Sequence, residues 1–322
     1  MLPTEILNHF DMLKQQPNNG KISPKSLGDL LLKDSQKYVG VDLMQLSAIC
    51  RKFVNEGLLI YAGSNSTSPP LCECYYSYNV NEKYANYGSY DFLINGFISI
   101  RNHFTKSVKP IIVTKSNGDE DIGTGFIISD NTLVTALHCI ENMKNIKIED
   151  NNKTPLQAEF YIKPKNPQTD IAYIVFKAKP FENIPHFQFA TGNILDEILT
   201  IGYPPIAGFD AFQIAETATI NTKSSIGKII GQENSYLDNQ ELLLINARVK
   251  GGNSGGPIIN KYGFIVGMLI QLPFDIFDPN KLDILGYGIA IPSAEITKTL
   301  VNLDVVTISV KNNDKGFCTI ND

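Results

Sequence analysis

The sequence is poor in cysteine, in positive charge and in long apolar runs. Only 5 cysteines occur in 322 residues. So odd and sparse a set makes no disulfide framework and points to a reducing, cytoplasmic compartment. Cations do not dominate either: 28 Lys and Arg face 33 Asp and Glu, for a net charge of -5. Without a positive excess there is little to neutralise a phosphate backbone, so nucleic acid is disfavoured as the main partner. No run of about 18 apolar residues occurs, and no membrane-spanning helix or membrane partner is expected. The first residues, MLPTEILNHF, lack a basic patch followed by an apolar stretch, so no secretory signal is expected. What remains is ordinary globular composition, 43% hydrophobic and 19% charged, with length for about two domains.

Residues 1–60 carry helical spacing. Thr4 is placed to cap a helix that has Ile6, Leu7, Phe10 and Leu13 on one side. Pro17, Asn18, Asn19 and Gly20 end it. Ser23-Pro24 reads as the start of a second helix through Leu27, Leu30 and Leu31, broken at Gly40. A third has Leu43, Leu46, Ile49, Phe53 and Val54 on one face and stops at Gly57. LLIY at 58–61 reads as a strand, GSNSTSPP at 63–70 as a turn, and 71–78 as a returning strand. Cys72 and Cys74 share a face of that strand, but no further ligand stands at zinc spacing, and no metal site is read.

Three helices and a hairpin, with FVNEGLLIY closing the third helix, resemble a winged-helix domain. That resemblance implies DNA reading through the third helix. Yet residues 1–90 hold eight cations and eight anions, and the third helix carries only Arg51 and Lys52. A protein-binding or sensing module is as good a reading. We therefore expect a regulatory or interaction domain over 1–78, with a protein partner. Residues 79–106 read as a Tyr-rich linker followed by one amphipathic helix with Phe92, Leu93, Phe97 and Ile100 on its buried side. Beyond it come short β-rich runs, among them KPIIVTK at 109–115, TGFIIS at 124–129, DIAYIVF at 170–176 and GFIVGMLIQL at 263–272. No helix alternates with them, so an all-β sandwich or barrel pair over 107–303 is expected rather than a parallel sheet. Residues 304–322 read as a tail.

The strongest local signal is Gly251-Gly252-Asn253-Ser254-Gly255-Gly256-Pro257. A nucleophilic serine needs an exposed hydroxyl and backbone N–H groups turned towards a developing oxyanion, and flanking glycines permit that turn. Upstream, His138 ends an apolar strand, and Asp170 opens another. The chain order His138, Asp170, Ser254 is that of the chymotrypsin fold, not of subtilisin or the α/β-hydrolases. His9, His103 and His186 have no motif around them.

With GTGFIIS at 123–129, TALHC at 135–139, TDIAYIVF at 169–176, GGNSGGPII at 251–259 and GYGIAIPSAEI at 286–296, the sequence resembles the trypsin-like serine proteases, and among them the Deg/HtrA type. The resemblance implies two six-stranded antiparallel β-barrels and a serine endopeptidase acting on protein or peptide substrates, without cofactor or metal. It implies that Ser254 attacks, His138 moves the proton and Asp170 orients the imidazole. It places the oxyanion hole at Gly252, Asn253 and Ser254. Substrate binding falls to Arg248, Lys250, Met268, Leu269 and Ile270, the last three pairing with the peptide as an added β-strand. An acid six residues before the serine would select Lys or Arg; Arg248 stands there, so basic substrate side chains are expected to be poor.

The departures are informative. Cys139 follows the histidine as in secreted trypsins, but the preceding strand offers no cysteine partner, so a free buried thiol is expected. Asn253 replaces the aspartate on which trypsin zymogens depend, so control must come from elsewhere. Too little chain follows the last helix for a PDZ domain. Fusions of this kind resemble effectors of prokaryotic stress and antiviral systems. The alternative is a DNA-binding regulator carrying an inactive protease-like domain.

Overall fold

The apolar spacing of the first hundred residues closes one core, and the β-rich remainder closes two barrels. In a computed structural model the described residues are 2–17, 21–33, 40, 42–65, 70–78, 80–150, 152–204, 222–234, 240–270, 287–301 and 304–319. Two compact units result, Met1–Gly96 and Phe97–Asp322. The breaks expected at Asn18–Gly20 and the hairpin tip at 66–69 lie outside the described residues.

The first unit runs α1 (Leu2–Phe10), β1 (Lys25–Ser26), α2 (Leu27–Lys33), α3 (Leu43–Asn55), β2 (Ile60–Ser64), β3 (Glu73–Tyr76), α4 (Glu82–Tyr87) and α5 (Ser89–Asn95). Its small antiparallel sheet has the order β1-β3-β2. Asp42 caps α3 by accepting the Met44 N–H, and Gly57 follows it with φ +71, as a helix-ending glycine does. Ile6, Leu7, Phe10, Leu46, Phe53 and Tyr75 fill the core.

Three expectations need correction here. Thr4 lies inside α1 and donates its hydroxyl to Asp91 instead of capping. The second helix starts at Leu27, not Ser23, because Ser26 and Asp29 form a reciprocal capping pair: Asp29 Oδ2 accepts the Ser26 N–H at 2.7 Å and Ser26 Oγ accepts the Asp29 N–H at 3.2 Å. Residues 79–106 are not a linker and one helix. Tyr90, Phe92 and Leu93 are buried and α4 and α5 belong to the first unit. Gly96, at φ +73, separates α5 from α6 (Phe97–Phe104).

The second unit holds two closed antiparallel barrels. The first uses β4 (Val108–Thr114), β5 (Glu120–Ser129), β6 (Thr132–Thr135), β7 (Asn145–Lys147), β8 (Ala158–Pro164) and β9 (Ala172–Phe176). The second uses β10 (Glu197–Gly202), β11 (Lys223–Asn234), β12 (Glu241–Ile245), β13 (Pro257–Asn260), β14 (Ile265–Ile270) and β15 (Gly288–Pro292), followed by α7 (Ser293–Val301). Ile198, Ile229, Leu243, Ile245, Ile258 and Val266 pack its interior.

The first barrel has eight strands rather than the six expected, because residues 304–319 of the expected tail form two further strands. There β16 (Val305–Asn313) pairs with β8 from Val305↔Pro164 to Ser309↔Phe160. Next, β17 (Gly316–Thr319) pairs with β16 and reaches β7 through Phe317↔Ile146. Phe317 is wholly buried, and its burial acts together with the ladder pairing to β8 and β7 to hold these strands on the barrel.

Candidate active site

The antiparallel register of two strands creates the first half of the site. Thr135, the last residue of β6, lies opposite Ala172, the first of β9. The chain leaving β6 therefore passes the chain entering β9. A 3-10 turn at Leu137–Cys139 presents His138 there, and Asp170 stands two residues before β9. Asp170 accepts twice from that residue: Oδ1 takes the His138 backbone N–H at 2.9 Å, and Oδ2 lies 2.6 Å from Nδ1. Two bonds from one carboxylate fix both the turn and the ring. They place a proton on Nδ1 and leave Nε2 as the basic nitrogen of the neutral ring.

The second half is the turn at 251–256, between β12 and β13. Gly252 has φ +86 and Gly255 φ +79. A side chain at Gly255 would collide with the Thr124 carbonyl and the Thr135 hydroxyl, so glycine is required there. The Gly255 N–H donates to the Leu269 carbonyl at 2.7 Å and the Gly256 N–H to the Asn253 carbonyl at 2.8 Å. Ser254 is 8% exposed, while the His138 side chain is 39% exposed.

Cys139 joins the halves. Its Sγ lies 3.6 Å from His138 Nε2 and 3.5 Å from the Ser254 carbonyl oxygen. The thiol is free and buried, as its missing strand partner implies. Gly123 explains how it fits: a Cβ there would come within 2.7 Å of Sγ. Burial of the His138 ring favours its neutral form, but the hydrogen bond to the Asp170 carboxylate, with the Cys139 sulfur beside Nε2, outweighs that. Together they hold the imidazole well above its ordinary range.

The remaining expected residues divide. Of the three oxyanion candidates, Asn253 has its N–H spent on the Lys250 carbonyl at 3.0 Å, which leaves Gly252 and Ser254 as the donors to consider. Arg248 and Lys250 are exposed, while Val249 between them packs on the second barrel's core. Met268 and Leu269 cannot pair with an incoming peptide. Met268 is flanked by Pro257 and Ile291 in neighbouring strands, and Leu269 spends its N–H on Gly256 and its carbonyl on Gly255. Ile270 pairs with Ile289 on one side; residues 271–286, where a free edge and the expected pocket wall would continue, lie outside the described residues. His9 is buried in α1, and His186 bonds the Phe181 carbonyl at 3.1 Å; neither stands in this site. A residue the sequence reading passed over is Thr124, between the two glycines of GTGF, which contacts the serine turn directly.

Paired antiparallel barrels with such a His–Asp pair beside a Gly-Asn-Ser-Gly-Gly turn are the architecture of trypsin-like serine proteases. Residues 123–268 match the trypsin-like peptidase domain family. The "probable periplasmic serine endoprotease DegP-like" of Chlamydia muridarum is 31% identical over 172 residues, covering 53% of this chain and 31% of that protein. Serine protease HTRA1 of Xenopus tropicalis is 30% identical over 183 residues, covering 55% and 35%. The solved structure of the HtrA-type protease AlgW with tripeptide aligns with a TM-score of 0.50 at 18% identity, over 67% of this chain and 68% of that one, a likeness of fold. The chain spans about a third of the length of these curated relatives. Residues 123–268 thus match a trypsin-like peptidase domain, and this part of the chain is similar to proteases of the Deg/HtrA kind.

Proposed function

We propose that this protein is a serine endopeptidase that cleaves protein or peptide substrates through an acyl-enzyme on Ser254. The observation that carries the reading is the pair of hydrogen bonds that Asp170 accepts from His138, with one sulfur in reach of both Nε2 and the Ser254 carbonyl. His138 Nε2 takes the proton of Ser254 Oγ as that oxygen attacks the scissile carbonyl. Asp170 stabilises the imidazolium that forms. The N–H groups of Gly252 and Ser254 receive the oxyanion. On collapse, Nε2–H passes its proton to the leaving amine, and water then releases the acyl group by the same route. No cofactor enters these steps.

The purified protein should take up a fluorophosphonate label at Ser254 and degrade casein. Ser254→Ala and His138→Ala should each lower kcat by about four to six orders of magnitude with the fold intact. Undiminished cleavage by Ser254→Ala would refute the assignment. Exposed Arg248 and Lys250 favour an apolar, aliphatic preference on the acyl side of the cut over an acidic one. Peptide products identified by mass spectrometry check this, and dominant cleavage after Lys or Arg counts against it.

We further read the first unit as a winged-helix-like regulatory module. Its element order, helix–strand–helix–helix–strand–strand, and its sheet order β1-β3-β2 support this. Its balanced charge supports a protein partner over DNA. Five free thiols support a cytosolic setting, and a role as a stress or defence effector rests on analogy with similar fusions alone.

A further inference from the structure

We propose that Thr124 is a positioning residue: it sets the oxyanion-binding turn and ties it to the strand that carries the histidine. The proposal rests on the reading of Ser254 as nucleophile. Thr124 stands on β5 of the first barrel and is wholly buried. Its Oγ1–H donates to the Gly252 carbonyl at 2.6 Å, and the same oxygen accepts the N–H of Tyr203, just after β10 of the second barrel, at 3.1 Å. Its backbone N–H donates to the Ser254 carbonyl at 2.9 Å. Its own carbonyl accepts the Thr135 hydroxyl at 2.8 Å, three residues before His138. One buried residue thus reaches both sides of Ser254, the second barrel and the histidine strand.

The consequence is orientational. A peptide unit is planar, so fixing the carbonyl of one residue fixes the N–H of the next, and the Gly252–Asn253 unit lies between the unit that carries the Gly252 N–H and the unit that carries the Ser254 N–H. The turn needs the Gly252 and Ser254 N–H groups to converge on one point. Gly251 and Gly252 have no side chains, and Gly252 sits at φ +86, so local stiffness does not hold that stretch in one orientation. The Thr124 hydroxyl pins the Gly252 carbonyl from outside, and the Thr124 N–H pins the Ser254 carbonyl. The Asn253 carbonyl between them is held by the Gly256 N–H. Removing the hydroxyl frees the carbonyl edge of the Gly252–Asn253 unit, leaves it held only through its Asn253 N–H on Lys250, and so loosens the two donor units joined to it. It also leaves the Gly252 carbonyl and the Tyr203 N–H without this partner in a buried place.

The test uses the full chain, a fluorogenic peptide built on a mapped casein cleavage site, and the trifluoromethyl ketone of that peptide, whose hemiketal oxygen occupies the oxyanion position. Thr124→Val should lower kcat by about ten- to a hundredfold, less than deletion of a whole oxyanion donor, with KM within about threefold. Ketone affinity should fall by the same factor as kcat/KM. The acid limb of the pH profile, which reports His138, should stay in place. Thr124→Ser, which keeps the hydroxyl, should remain within about threefold of the parent. The proposal is overturned if Thr124→Val matches the parent, if Val and Ser variants lose equally, or if kcat falls while ketone affinity holds. Should Thr124→Val not fold, Thr124→Ala carries the same comparison; if neither folds, the residue serves stability alone and the proposal fails. A parent protein that neither labels nor cleaves refutes the peptidase reading instead.

Discussion

The Cys139 thiol donates its one proton to the Ser254 carbonyl, and its sulfur stands beside His138 Nε2, where it accepts from the protonated ring. Nε2 is also the nitrogen that must receive the serine proton, so the sulfur sits beside the proposed working base and favours its charged form. Together with Asp170 it keeps the imidazole raised. A general base works only when neutral, so activity rises with pH through that titration, and a raised histidine moves the rise to higher pH. Cys139→Ala removes one of the raising contacts. The acid limb of kcat/KM should then move to lower pH, and an unchanged limb would show that the thiol does not touch the working base. His9 shows the opposite shift. Burial, then the charges of Lys25 and Lys33, push it from 6.5 down to about 4. The Ser26 backbone approaches the ring, yet neither ring nitrogen meets a partner at hydrogen-bond geometry. As pH falls from about 6.5 to about 4, the unfolded chain binds a proton that the folded one refuses, so stability is lost across that window, by about 3 kcal/mol at most. His9→Phe should remove this loss. Urea unfolding at pH 7 and pH 4.5 measures it, and an equal loss in both proteins would place its origin elsewhere.

At the scale of elements, legibility follows the range of the interaction. Gly57 and Gly96 end helices through their own φ, and the sequence shows the first plainly. The Ser26–Asp29 pair is equally local and is visible as S-x-x-D once the helix start is sought there. The order His138, Asp170, Ser254 is legible because each residue sits at the end of an apolar strand or within a glycine turn. Thr124 is less so: its role comes from contacts with residues 252–254, more than a hundred positions away, and nothing near GTGF announces them. The C-terminal strands are a similar case. VTISV at 306–310 alternates as a strand should, but local pattern does not say that it joins β8, and the familial resemblance ends with α7. The structure makes these strands part of the first barrel, so they should carry stability. Phe317→Ala is expected to cost about 3–5 kcal/mol. Truncation before Val305 should bare the edge of β8 and promote association between chains. Denaturant midpoints and light scattering check both, and a truncated chain as stable and monomeric as the parent would show that the barrel closes without them.

The whole molecule pairs a peptidase domain with a unit that has its own helices, sheet and buried core, and this division makes a separable role testable. Asn253 stands where a zymogen switch would need an acid, so cleavage of a leading segment is not available as a control by that route. On the regulatory reading proposed above, the first unit, which holds none of the proposed catalytic residues, is the candidate for restraint. Its residues 1–90 balance eight cations against eight anions, so a partner would be recognised by shape and apolar contact more than by long-range charge. Residues 97–322 expressed alone should fold, because the eight- and six-stranded barrels close without the first unit. Their kcat/KM on the casein-derived peptide should differ several-fold from that of the full chain, while the fluorophosphonate still labels Ser254. A rise means that the first unit restrains the site; a fall means that it supports the active form. Salt should change the two rates in parallel, since the balanced unit adds little field. Equal kcat/KM for the two proteins, measured with and without a partner captured on Ser254→Ala, would remove the regulatory reading and leave the first unit as a tether.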